Sequence, residues 1–512
     1  MRLEDILNYN QWWSKGSTFA LYDKDLSFLK NPEIPFVFER TTPELSKGKI
    51  YIIRGPRRIG KTVMLKTIVY KLLEKNTAPR NIFYVSLETV ARASEFENLL
   101  NEYLSYPTIG MRYILLDEIQ NVTGWRKIIQ GMVDSGRMEN IAVVITGSIA
   151  HMLEEEIVGR GIEGNTYIMR QINFREFCLT LLNDINKEFG VNRINKILGY
   201  NFTNEEAEKM RNAIISMPIT LEEDLKHINE IANKISVFAI PLKKMFLIYL
   251  RTGGYPMSIN SYLNSVLSYG SKNVNNFKID PEIYEKLYNY AKNDAAMLTS
   301  ERSGDPAKAG IVINEMLNYI GKKISYSKIA RAANMNATTL NFYIKRFENS
   351  YAFSSIKGID SDMKYKTFQK IYFSDIFLHY SAGSAASGMN PDEYTENLLL
   401  SDAIGTIAKE IVISHLIGIK ENYPMKQYNT YINFLVGRNN KEIDFVFKRN
   451  DMTYFGIEVK YQNTIDSREI YKTKKIKDYL ILTKDTMQKI DNTLALPIYL
   501  ALVLFSKSEH SL

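Results

Sequence analysis

Gly55-Pro56-Arg57-Arg58-Ile59-Gly60-Lys61-Thr62 carries the spacing G-x-x-x-x-G-K-[ST], follows the apolar run Ile50–Arg54 and opens the helical pattern Val63–Lys75. A strand before and a helix after are what separate a phosphate-binding loop from an ordinary glycine turn. Glycines let successive backbone N–H groups turn inward on phosphate oxygens at a helix N-terminus. The expected nucleotide-binding residues are therefore Gly55, Pro56, Arg57, Arg58, Ile59, Gly60, Lys61, Thr62 and Val63. Among them, Lys61 places a cation on the outer phosphates and Thr62 offers its hydroxyl to Mg2+.

Around this loop, residues 47–175 alternate β-branched runs with helical patterns, which predicts an α/β fold with a parallel sheet flanked by helices. The strands expected are Ile50–Arg54, Asn81–Leu87, Tyr113–Asp117, Ala142–Thr146 and Thr166–Ile172. The third ends in Asp117-Glu118, at the sheet edge where such folds bind ligands. Asp117 would hold Mg2+ through water, and Glu118 would orient and deprotonate an attacking water. The fourth ends in Thr146-Gly147-Ser148, read either as hydroxyls that sense a γ-phosphate, with Ser148 in the nucleotide set, or as a polar turn.

The phosphate loop, the run Asp117-Glu118-Ile119-Gln120 with Trp125 after it, and Thr146-Gly147-Ser148 together resemble the P-loop ATPase domain of the AAA+ superfamily. More narrowly they are similar to prokaryotic, largely archaeal ATPases with a C-terminal domain of unknown function. Gly159-Arg160, Asn173 to Phe177 and Gly253-Gly254-Tyr255-Pro256 match the wider pattern. The resemblance implies ATP as substrate, Mg2+ as cofactor, Lys61 and Glu118 as catalytic groups, and Arg160 as a phosphate-sensing or finger arginine, in cis or from a neighbouring subunit. It leaves ring and monomer both open. Two departures are Ile149-Ala150 in place of a Ser-rich continuation and Asn173 where Pro is usual.

Residues 176–300 read as a helical lid or linker. Ser327–Ala333, a turn at Asn334-Met335-Asn336 and Ala337–Phe347 then read as a helix-turn-helix, with two strand-like runs over 350–374 as a wing. Residues 321–370 hold ten Lys and Arg against three acids, a local +7 within a chain total of +8. That concentration predicts DNA as a partner. Lys328, Arg331, Lys345 and Arg346 would meet phosphates, and Thr338, Thr339 and Asn341 would reach base edges. A basic protein-docking face is the other reading. The small, polar run Ser381–Pro391 reads as a linker.

Beyond it, 392–512 gives another α/β pattern. Glu442-Ile-Asp444 and Tyr454-Phe-Gly-Ile-Glu458-Val-Lys460 form two strands; alternation puts Glu458 and Lys460 on one face and a hairpin brings Asp444 near them. Two carboxylates and a lysine suit Mg2+-assisted phosphodiester cleavage. The set resembles the PD-(D/E)XK nuclease fold, in which Glu410 matches the first acidic position. A catalytic site and a salt-bridge cluster retained by the fold both fit. The expected architecture is thus a P-loop NTPase domain (1–175), a helical lid (176–300), a winged helix-turn-helix (301–380) and a nuclease-like domain (392–512).

The 512 residues, 45% hydrophobic and 24% charged, exclude a small stapled module, wholesale disorder and a fibrous repeat. A single cysteine, Cys178, excludes an intramolecular disulfide and is expected to be buried; a reducing, cytoplasmic location is expected, and Met1–Trp13 shows no signal-peptide pattern. No run reaches the ~20 apolar residues of a membrane span, and the longest, Leu494–Phe505, is expected to be a buried strand. Trp12-Trp13 reads as core or a docking seam rather than a base-stacking platform.

Overall fold

Strand β1 (Ile50–Arg54) is buried along its whole length because a parallel neighbour flanks it on each side. The computed structural model describes residues 3–26, 36–38, 40–90, 92–148, 165–183, 190–269, 278–297, 304–420, 432–437, 441–465, 473–490 and 492–506. After β1 come β2 (Ile82–Ser86), β3 (Arg112–Asp117), β4 (Ile141–Gly147) and β5 (Asn165–Ile168), joined in the order β2-β3-β4-β1-β5 with every pair parallel. Strands covered on both faces need unbroken apolar runs, which is why β1 to β4 stand within a residue of where the sequence put them; β5, with Thr166 and Tyr167 exposed, ends at Ile168 rather than Ile172. The order places β4 between β1 and β3. The loop after β1 and the carboxylates after β3 therefore share one sheet edge, with the end of β4 between them.

β2 is the sheet's edge, and its backbone is satisfied by side chains from the N-terminal segment. Asn10 donates to Tyr84 O (2.9 Å) and accepts from Tyr84 N (2.8 Å), while the indoles of Trp12 and Trp13 both donate to Ile82 O at 3.0 and 2.8 Å. The tryptophan pair is thus an edge cap, a device that keeps an open strand from pairing with another chain.

The chain forms two compact units. The first holds Met1–Arg170, Asp294–Gly304 and Asn349–Tyr351; the second holds Gln171–Asn293, Asp305–Glu348 and Ala352–Leu512. Strands β6 (Phe353–Asp360), β7 (Tyr365–Phe373), β8 (Ile432–Val436), β9 (Glu442–Lys448), β10 (Tyr454–Lys460), β11 (Ile476–Thr483), β12 (Gln488–Ile490) and β13 (Thr493–Pro497) all lie in the second. They make one eight-stranded sheet, β12-β13-β11-β10-β9-β8-β6-β7.

Three expectations are corrected here. The hairpin β6–β7 is no free wing: β6 pairs in parallel with β8 and continues the sheet of the C-terminal strands. Alternation locates a strand but does not name its partner. The run expected to be a linker is mostly helix, Ile376–Ser387, with Asp375 capping it. Its small residues serve close packing, since a Cβ on Gly383 would stand 2.1 Å from Tyr394 Oη. Leu494–Phe505 divides at Pro497 into the end of β13 and the wholly buried helix Ile498–Leu504; a short apolar run does not distinguish the two states.

Asn173 has a clear role. Its side chain accepts from Glu176 N (2.9 Å) while Glu176 accepts from Asn173 N (2.9 Å), a reciprocal cap on the helix Phe174–Asn183. Cys178 on that helix is buried, which pushes its thiol up. The Gly253–Pro256 turn is a packing junction: Gly254 N donates to Asp375 Oδ2 (2.8 Å), and a Cβ on Gly254 would come within 2.2 Å of Ile172 O. Among the described residues no helix is long and apolar enough to cross a membrane.

Burial pushes the Asp375 carboxyl up to about 7, against the bonds it accepts from Gly254 N and Phe377 N. An acid raised on folding stabilises most below its ordinary range, and that stability is lost as pH rises toward 7, with a slope of up to ~1.4 kcal/mol per pH unit. Thermal unfolding of Asp375→Asn, which keeps an acceptor at the cap, is expected to lose this part of the pH dependence. An identical pH profile for variant and wild type would contradict the assignment.

Candidate functional site

Lys61 begins the helix Lys61–Glu74 directly after the glycine turn and is buried, 3% exposed. Its ammonium accepts no competition from bulk water; it donates to Gly55 O (3.0 Å) and Pro56 O (2.9 Å) and stands 3.5 Å from Glu118 Oε1. Gly55 is required by space, since a Cβ there would lie 2.0 Å from Met169 O on the chain leaving β5. Arg58 is exposed, whereas Ile59 is packed into the interior.

Asp117, at the end of β3, is the hub. Thr62 Oγ1 donates to its Oδ2 at 2.6 Å, Tyr84 Oη donates to the same oxygen at 3.1 Å, and Thr146 Oγ1 donates to Oδ1. Burial pushes the Asp117 carboxyl up, with the charge of Glu118 adding to it, against the bonds from Thr146 and Thr62 and the charge of Lys61. For Glu118 burial acts in the same sense, yet Lys61, Gln120 and Arg57 outweigh it and hold the carboxyl below its usual range. Glu118 is thus an ionised carboxylate with limited exposure, the state a general base needs. Its backbone sits in the left-handed region (φ 54°), fixed there by Glu118 N donating to Thr146 Oγ1 at 3.0 Å.

Lys61, Thr62, Asp117 and Glu118 are therefore brought together as the sequence indicated. Ser148 is fully buried, and its hydroxyl accepts from Gln120 Nε2 at 3.2 Å. Gln120 also donates to Glu118, so it links Ser148 to that carboxylate. Gln120, Tyr84 and Asp294 are site residues that the sequence did not reveal as such. Gln120 stood in a quoted motif without a role, Tyr84 reads as an ordinary strand residue, and Asp294 is remote in sequence. Asp294 is 5% exposed and its carboxylate lies 2.7 Å from Arg57 Nε. Arg160 lies outside the described residues. The oxygen donors Thr62 and Asp117, already converging at 2.6 Å, fit a hard divalent cation such as Mg2+.

In the second unit the helices Tyr326–Ala332 and Ala337–Asn349 form the helix-turn-helix, with Asn334 left-handed in the turn (φ 49°) and Asn336 Oδ1 accepting from Thr339 N at 2.7 Å. Leu340, Tyr343, Ile344 and Phe347 face inward. Thr338, Asn341 and Lys345 share the opposite face, Thr338 and Lys345 exposed, Thr339 and Asn341 half-buried. Arg346 is a correction: it is buried with its guanidinium 4.4 Å over the Phe342 ring, so it is not placed to meet a polyanion. Lys370 is likewise buried and, with Lys323, neutralises Glu442. Lys322, Lys328, Arg331, Lys345, Lys357, Lys364 and Lys366 remain exposed, the last paired with Asp360 at 2.8 Å.

The C-terminal set converges only in part. Asp444 Oδ2 accepts from Val459 N (2.9 Å), Asp444 N donates to Glu458 Oε2 (3.2 Å), and Lys460 Nζ stands 3.8 Å from Glu458 Oε1. Glu410 is turned to other partners, accepting from Phe373 N (3.0 Å) and pairing with His379 Nδ1 (2.7 Å). From the same helix it is Lys409 that reaches Asp444, at 2.6 Å. Among the described residues no three His, Cys, Asp or Glu are grouped as metal ligands. The remaining pair of carboxylates already has a cation, so the set does not fit a divalent ion as it stands.

Residues 47–178 match the family model of the AAA domain, the span that carries the parallel sheet and the phosphate loop, and residues 244–392 match a domain of unknown function (DUF8612). The chain is 35% identical over 137 residues to an uncharacterized protein of Haemophilus influenzae, a match over 25% of this chain that spans only 32% of that relative. It is 26% identical over 324 residues to the uncharacterized protein MJ1544 of Methanocaldococcus jannaschii, covering 55% of this chain and 71% of the other. Solved structures that overlay on it include RuvB of Thermotoga maritima, with TM-score 0.28, 12% identity and coverage of 69% and 89% of the two chains. The Aeropyrum pernix ORC1 protein in complex with DNA overlays with TM-score 0.31, 11% identity and coverage of 77% and 94%. Overlays at these scores carry no functional argument. The match over 47–178 takes in the strands β1 to β5 and the phosphate loop between β1 and the helix Lys61–Glu74.

The carboxylates of Asp444, Glu410, Glu442 and Glu458 all act on the Tyr372 hydroxyl, which is buried without a hydrogen-bond partner and is raised chiefly by that burial. An unsatisfied buried hydroxyl costs ~1–3 kcal/mol. Tyr372→Phe is therefore expected to leave stability unchanged or raise it by about 1 kcal/mol in denaturant titration. A clear loss would show that the hydroxyl has a partner in solution.

Proposed function

We propose that the chain is a Mg2+-dependent ATPase that engages DNA through the helix-turn-helix of its second unit. The observation that carries the reading is the convergence of Lys61, Thr62 and Glu118 on or beside Asp117 at one sheet edge. Backbone N–H groups of the phosphate loop and the Lys61 ammonium would bind the phosphates of ATP. Thr62 and Asp117 would hold Mg2+, which supplies charge neutralisation at the phosphates when bound. Glu118 takes a proton from water as the water oxygen bonds to the γ-phosphorus and the bond to the leaving ADP oxygen breaks. Gln120 and Thr146 keep Glu118 aimed, one through its carboxylate and one through its backbone N–H.

DNA is supported by the exposed Lys322, Lys328, Arg331 and Lys345 around the helix-turn-helix, with Thr338 and Asn341 on its outward face. Few of these groups suit bidentate base readout, so phosphate contact dominates the expected interface. Cleavage is not part of the proposal, because Lys409 already neutralises Asp444.

Phosphate release from ATP by the purified chain should fall to background in Lys61→Ala. In Glu118→Gln turnover should fall at least ~100-fold while ATP is still bound, as for loss of a general base. Wild-type rates no higher than those of Lys61→Ala, with and without DNA, would reject the ATPase. For DNA, a Lys328→Glu, Arg331→Glu, Lys345→Glu triple variant should weaken binding and flatten its dependence on salt, because each lost phosphate contact releases fewer counterions. An unchanged salt slope would place the DNA surface elsewhere.

A further inference from the structure

Asp294 is the unexpected member of the nucleotide site. It stands near the end of the helix Pro281–Ala296, whose earlier residues belong to the second unit, yet Asp294–Gly304 is grouped with the first. Its carboxylate is 5% exposed and 2.7 Å from the Nε of Arg57, inside the phosphate loop. Met297, one turn on, contributes its sulfur at 3.8 Å from the same guanidinium. The charges of Glu118 and Lys61 both act on Asp294. Cations and anions are thus matched in pairs, Lys61 with Glu118 and Arg57 with Asp294.

A terminal phosphate arriving beside Lys61 adds negative charge to this set. Glu118 has work to do as a base and keeps its ionised form. Asp294 has no such role, and burial already pushes its carboxyl up to about 7, with Glu118 adding to the effect and Arg57 and Lys61 opposing it. Paired with Arg57, it is an anion that an arriving phosphate can neutralise or displace. ADP, lacking that phosphate, makes no comparable demand.

We propose that Asp294 is a positioning residue of the nucleotide site, holding the Arg57 guanidinium where a terminal phosphate would otherwise claim it, so that ATP but not ADP displaces it. The inference rests on the ATPase reading and deepens it. Displacement acts on the last turn of the helix Pro281–Ala296.

Equilibrium binding of a non-hydrolysable ATP analogue and of ADP, each with Mg2+, is measured for the full chain and for Lys61→Ala and Asp294→Asn. Asp294→Asn is expected to tighten the ATP analogue by about fivefold or more while ADP changes by less than about twofold. Because phosphate favours the protonated acid, wild-type affinity for the analogue should weaken from about pH 6 to about pH 8 more than that of Asp294→Asn. Equal changes for both nucleotides, or equal pH profiles, overturn the inference. A wild type that binds neither nucleotide, or binds no better than Lys61→Ala, fails the ATPase reading first and the inference with it. If Asp294→Asn does not fold, amide exchange at Asn293–Met297 in the wild type decides: faster exchange with the ATP analogue than with ADP supports displacement, and equal exchange overturns it.

Discussion

Asp117 is held by three hydroxyls from three elements, Thr62 after the phosphate loop, Tyr84 on β2 and Thr146 on β4. A buried carboxylate without such donors would be costly to keep ionised. Satisfying it requires the order β2-β3-β4-β1, in which β4 separates the loop strand from the carboxylate strand. The same order brings Thr146 under the Glu118 backbone and so turns that residue's side chain toward Lys61. Fold and site are in this sense one constraint: parallel strands that present successive polar ends at a single edge.

The second unit is built on a different constraint. Its eight-stranded sheet absorbs the β6–β7 hairpin at one end, so the helix-turn-helix and the C-terminal strands share one framework rather than forming separate modules. Close approach of backbones at Gly254 and of helix to helix at Gly383 makes that framework dense. Charge is managed in the same spirit: Lys370 and Lys323 sit on Glu442 and Lys409 sits on Asp444, while Lys328, Arg331 and Lys345 of the helix-turn-helix stay exposed.

Legibility of the sequence followed the range of the interactions. The phosphate loop, its strand and helix, and the Asp117-Glu118 edge were readable because their chemistry is local and strongly patterned. The helix-turn-helix was readable for the same reason, through the helical spacing of Leu340, Ile344 and Phe347. What failed depends on partners distant along the chain. The hairpin's place beside β8, the helix in the Ser381–Pro391 run, the substitution of Lys409 for Glu410 at Asp444 and the inward turn of Arg346 are all tertiary outcomes. Asp294 beside Arg57 is the extreme case, since nothing in Asn293-Asp294-Ala295-Ala296 marks a nucleotide site.

If the Asp117 cluster is where ATP and Mg2+ bind together, calorimetric titration of ATP into the purified chain, with and without Mg2+, should show it directly. One ATP per chain is expected, bound tightly only with Mg2+, with that metal dependence lost in Asp117→Ala. Binding that is indifferent to Mg2+, or unchanged in Asp117→Ala, would contradict it.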